Sequence, residues 1–69
     1  MNEEPKLEVS PLSQKISSGG RVVSVEIYRL EGDTSWVLEV VDEYNNSTVW
    51  GDRFETDSAA LAETKKTIF

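Results

Sequence analysis

Apolar and polar residues alternate through most of this chain, and turn-forming residues cut the alternation into short units. Val23, Val25 and Ile27 occupy every second position within 21–30, and Trp36, Leu38 and Val40 do so within 36–43. Leu12 and Ile16 share one parity in 12–17, as Trp50 and Phe54 do in 47–54. Ser17-Ser18-Gly19-Gly20, Glu31-Gly32-Asp33-Thr34-Ser35 and Tyr44-Asn45-Asn46 separate these segments, and their residue types favour turns. A repeat of roughly 12 residues leaves no room for crossover connections, so the four segments predict an antiparallel meander.

Side-chain parity constrains the register, because a slip of one residue swaps the faces of a strand. A three-residue loop at 44–46, with Asn46 left-handed, pairs Val40 with Trp50 and Trp36 with Phe54 and gathers the large apolar groups on one face. A two-residue Gly32-Asp33 loop would set Glu26 directly opposite Glu39, which is unfavourable. A four-residue loop at 32–35 moves Glu26 opposite Val41 and is preferred. A Gly19-Gly20 turn lays Ile16 against Val23 and Leu12 against Ile27, with Pro11 where an edge strand can begin.

The last segment has helical character. Thr56 or Asp57 can cap it, good helix formers follow from Ser58, and Leu61, Thr64 and Ile68 fall on one face. Acid at its start and Lys65-Lys66 at its end match the helix dipole. Residues 1–10 hold only Leu7 and Val9 among Glu, Lys, Pro and Ser beyond the initiating Met, and predict a flexible tail. The expected fold is therefore α+β: a four-stranded antiparallel β-meander with one C-terminal helix packed on one face, forming a single domain over 11–69. Its expected core is Leu12, Ile16, Val23, Val25, Ile27, Trp36, Leu38, Val40, Trp50, Phe54, Leu61 and Ile68.

Composition narrows the chemistry. The 69 residues include no Cys and no His, which removes disulfides, thiolate sites, the usual zinc and copper sites and histidine-based triads. The net charge of −6, with scattered basic residues, opposes direct binding to nucleic-acid phosphates. The acidic start is unlike a signal peptide, and no apolar stretch approaches the roughly 20 residues of a membrane span, so a cytoplasmic protein without membrane attachment is expected. A domain this small buries only about 60% of its unfolded surface and should be marginally stable.

Two segments carry a resemblance. Trp36-Val37-Leu38-Glu39-Val40-Val41-Asp42-Glu43 followed by Ser47-Thr48-Val49-Trp50, and Phe54-Glu55-Thr56-Asp57 followed by Ala60-Leu61, resemble a family of small bacterial proteins with no known activity. The resemblance spans roughly residues 12–69. It implies the meander-plus-helix fold, a bacterial cytoplasmic setting and a chain that continues past Phe69. It transfers no catalytic or ligand-binding residue.

No segment of the chain points to an enzyme or a cofactor. Glu26 and Glu39 fall on the outer sheet face, where paired carboxylates lack the cleft that glycoside hydrolysis needs. The oxygen-rich segments 42–47 and 52–57 lack the ligand spacing and glycine of a calcium loop and serve as turn and cap. Parity directs both tryptophans to the helix side, which disfavours a single-stranded nucleic-acid binder using sheet aromatics. The outer face carries Val37, Val41 and Val49, with Val41 expected opposite Val49, beside Tyr28, Glu39 and Glu43. These six are the candidate interaction surface of a non-enzymatic module, which an unidentified protein or a weak homodimer would cover. An acidic decoy that occupies a nucleic-acid-binding protein is the alternative.

Overall fold

The computed structural model describes residues 6–68. Its central element is β3 (Arg21–Leu30), whose Val22, Val23, Val25 and Ile27 have the β-branched shape that suits a pleated surface. One edge of β3 pairs antiparallel with β1 (Leu7–Val9) and β2 (Gln14–Ser18). The other pairs with β4 (Val37–Val41), which in turn pairs with β5 (Ser47–Val49). The chain then forms α1 (Asp57–Ile68), which packs across β3 and β4. The fold is α+β, an antiparallel sheet with a C-terminal helix, as the sequence predicts, with five strands in place of four.

The added strand comes from the segment expected to be a tail. β3 outruns β2 by several residues, which leaves Tyr28–Leu30 without a partner on that edge. Leu7-Glu8-Val9 fills the gap, with Leu7 opposite Leu30 and Val9 opposite Tyr28. Residues 1–5 of the expected tail lie outside the described residues. The break between β1 and β2 falls at Pro11, which has no N–H to give a ladder. Around it Ser10 N still donates to Ile27 O at 2.8 Å. Ser13 Oγ donates to Ile27 O at 3.1 Å and accepts from Ile27 N at 3.0 Å. A side-chain hydroxyl thus replaces the missing backbone partner, where the sequence had placed Leu12. The Gly19-Gly20 turn does set Ile16 opposite Val23.

Two registers differ from expectation. Between β3 and β4, Glu26 stands opposite Glu39, and Ile27 opposite Leu38, so the rejected pairing is the one adopted. Neutral donors soften it: Tyr28 Oη donates to Glu39 Oε1 at 3.1 Å, and Ser47 Oγ donates to Glu39 Oε2. Between β4 and β5 the loop has three residues, but they are Glu43-Tyr44-Asn45, and Asn45 rather than Asn46 is left-handed, with φ 66°. The Asp42 carboxylate selects this turn. It accepts from Tyr44 N at 2.9 Å, Asn46 N at 2.8 Å and Asn46 Nδ2 at 3.1 Å. Val40 therefore meets Thr48, not Trp50. The shift is two residues, so the faces are unchanged, and Trp50 N donates to Leu38 O at 3.1 Å. Two further residues are taken up after Trp50, and the expected Trp36–Phe54 bridge forms.

Val23, Val25, Ile27, Leu38, Val40 and Ala60 are buried, with Leu12, Ile16, Trp36, Trp50, Phe54 and Leu61 packed around them. Each fully buried Val, Leu or Ile contributes about 1.5–3 kcal/mol. The Ile68 side chain, also expected in the core, lies outside those described. Thr56 is the helix cap, its Oγ1 accepting from Ala59 N at 3.0 Å. The helix sets Ala60 and Thr64 deepest, and Thr64 Oγ1 satisfies itself by donating to Ala60 O at 3.1 Å. Small residues at this contact let the helix lie close to the sheet. Its N-terminus is fastened by buried Ser10, whose Oγ donates to Asp57 Oδ2 at 2.7 Å and accepts from Leu12 N at 3.0 Å.

Candidate interaction surface

Because side chains alternate along each strand, the sheet presents to the side away from α1 the residues that β3 and β4 do not bury. Directly paired residues point to the same side, so the pairings define rows across this bare face. At one end Leu7 lies beside Leu30, and next come Val9, Tyr28 and Val37. Glu26, Glu39 and Val49 form the middle row. Lys15, Ser24, Val41 and Ser47 follow, then Ser17 and Val22.

The face is therefore graded. Its β1 end is apolar, its middle acidic, and its β2 end hydroxyl-rich with isolated valines. Of the six residues that the sequence nominates, Tyr28, Val37, Glu39 and Val49 occupy adjacent rows. Val41 lies one row further, opposite Ser24 and Ser47 rather than opposite Val49. Glu43 lies beyond the end of β4, exposed in the β4–β5 turn. Leu7 and Val9 were missed because the segment around them is polar overall. The alternation Leu7-Glu8-Val9 just before Ser10-Pro11 is the signal that could have found them.

Two groups at this surface titrate away from their ordinary values. Partial burial raises the Tyr28 phenol, reinforced by its hydrogen bond to Glu39 and by the charges of Glu39 and Glu26. Asp42 is lowered, first by the backbone hydrogen bond from Asn46; desolvation, next in size, opposes it, and the Asn46 side chain, the Tyr44 amide and the charge of Arg21 lower it further. The Tyr28 shift thus follows burial first and the Asp42 shift its own turn hydrogen bonds. Among the described residues no three His, Cys, Asp or Glu side chains gather as a metal site, and no helix is long and apolar enough to cross a membrane.

The opposite side differs at the same end of the sheet. Arg29 sits with its guanidinium 4.2 Å from the Trp36 ring centroid, and its Nε lies 3.5 Å from Glu8 Oε1, an ion-pair contact rather than a hydrogen bond. The stack joins Arg29 of β3 to Glu8 of β1 and to Trp36, which immediately precedes β4. The described residues thus define a small α+β domain with one helix-covered and one bare sheet face. Comparison of the chain with protein-family models, curated proteins and solved structures finds no match.

Proposed function

We propose that this chain is a non-enzymatic protein-interaction module that works through the bare face of its sheet. The observation that supports this reading is the apolar end of that face, where Leu7, Val9 and Leu30 are exposed together beside Tyr28 and Val37. Contiguous exposed apolar residues rimmed by polar ones mark partner surfaces. The decoy reading has less support, because Asp33 is paired with Arg53 at 3.2 Å and Asp42 is occupied by its own turn. The test is photo-cross-linking in the native host, with the photoreactive residue at Leu30 or, as control, at exposed Ala62. One discrete adduct from Leu30 and none from Ala62 is expected. No adduct from Leu30, or the same adducts from both, overturns the reading.

A weak homodimer is favoured at a different place, the β5 edge. Trp50 N bonds to Leu38 O, so antiparallel alternation turns the backbone groups of Val49 and Ser47 outward. Tyr44 to Gly51 is also uncharged throughout, which lets two acidic copies approach there. Sedimentation should show concentration-dependent association that strengthens with moderate salt as the −6 charge is screened. Val49→Lys should abolish it, since lysine on an edge discourages pairing. A strict monomer at about 1 mM protein contradicts this reading.

A further inference from the structure

The acidic middle of the bare face is not balanced within the chain. Glu26 and Glu39 face each other directly across adjacent strands, which is destabilising for like charges. Glu39 is held by two neutral hydroxyls, those of Tyr28 and Ser47. Among the described residues neither carboxylate has a cationic partner. Arg29 is on the α1 side against Trp36, and Arg53 holds Asp33. Lys15 shares the bare face, in the neighbouring row, but forms no ion pair with Glu26. The repulsion persists although the neighbouring rows offer apolar surface and hydroxyls in plenty.

We propose that the bare face docks a basic amphipathic segment of a partner protein, with its apolar side chains on Leu7, Val9 and Leu30 and a Lys or Arg seated between Glu26 and Glu39. The inference rests on the interaction-module reading and supplies the partner's chemistry. A cation placed between the two carboxylates turns a repulsive pair into an attractive triad, so complex formation gains an interaction that the free domain lacks. Hydrogen bonds to charged groups are stronger than neutral ones. Same-face neighbours on a strand are about 6.6–6.8 Å apart. The partner's cation must therefore lie about one same-face step from its group over Val9 and two steps from those over Leu7 and Leu30, roughly one and two helical turns or two and four residues of a strand.

The test uses the full chain and a synthetic amphipathic helical peptide of leucine and lysine, with a leucine–glutamate peptide as the charge-reversed control. Calorimetry measures affinity, and nuclear magnetic resonance locates the site. Binding of the lysine peptide should shift the resonances of Leu7, Val9, Tyr28, Leu30, Glu26 and Glu39. The double variant Glu26→Gln/Glu39→Gln should weaken it about tenfold or more. Asp52→Asn/Glu55→Gln removes the same charge from exposed positions off this face and should change affinity less than about twofold. Equal weakening by the two double variants, equal binding of the glutamate peptide, or no binding at about 1 mM overturns the inference. Shifts that stay on the bare face while both variants bind alike overturn the cation seat and leave the interaction module standing. Shifts confined to the α1 side overturn both.

Discussion

On the α1 side of the sheet Ile27 and Leu38 expose 0% of their surface, while on the other side Leu7, Val9, Leu30 and Val49 expose 58%, 61%, 45% and 54%. The two sets are chemically alike and lie on the same sheet. What separates them is cover, because the 12-residue α1 reaches β3 and β4 on one side only. Hydrophobicity alone therefore does not define the core of so small a domain. Position relative to the single helix does, and apolar residues on the uncovered side are available for something else.

The contrast breaks most severely from the covered side. Leu38→Ala should cost about 2–5 kcal/mol, as buried Leu to Ala changes do, which is comparable with the whole stability of many small domains. Circular dichroism with urea titration would show it, and a midpoint near that of the parent chain would place the core elsewhere. Ser10→Ala comes next, at about 1–3 kcal/mol, because it strips the Asp57 carboxylate and the Leu12 amide of their buried partner. A double-mutant cycle with Asp57→Ala should return a coupling of about 0.5–3 kcal/mol, and additive losses would show that Ser10 acts through packing alone.

On the bare side the sign should reverse. Glu26→Gln should stabilise the fold by about 0.2–1 kcal/mol by removing like-charge opposition to Glu39. A lower melting temperature would mean that Glu26 has an unseen stabilising role. The smallest effect concerns Asp42. Its folded-state pKa is lowered, so its contribution is fully present above the unfolded value of about 3.9 and disappears as pH falls through the folded value. The melting-temperature difference between the parent chain and Asp42→Asn should therefore shrink on acidification below about pH 4. A difference that is constant down to about pH 2 would show that the Asp42 hydrogen bonds survive protonation.

Parity carried most of what the sequence could reveal. Val23, Val25, Ile27, Leu38 and Val40 were legible as core because alternation specifies a face whatever the register. Register itself was less legible, because it turned on individual side chains: the Asp42 carboxylate moved one turn back by a residue, and hydroxyls from Tyr28 and Ser47 made the Glu26–Glu39 pairing tolerable. Ala60 escaped notice because a small residue gives little hydrophobic signal, yet its smallness is what admits it under the helix. The surface was legible at Tyr28, Val37, Glu39 and Val49 and incomplete at Leu7 and Val9. Whether three residues near a polar terminus form a strand depends on the open edge of β3, which lies about 20 residues away in the chain.

Equilibrium urea unfolding of the triple variant Leu7→Ser/Val9→Ser/Leu30→Ser tests most directly whether the bare face is free of a structural role. An unchanged slope with denaturant and a loss of no more than about 1–2 kcal/mol for the three together are expected, because Leu7, Val9 and Leu30 keep about half of their surface in water in the folded domain. A loss of several kcal/mol, or loss of cooperative unfolding, would mean that the bare face holds the fold together and would contradict its assignment as a surface kept for a partner.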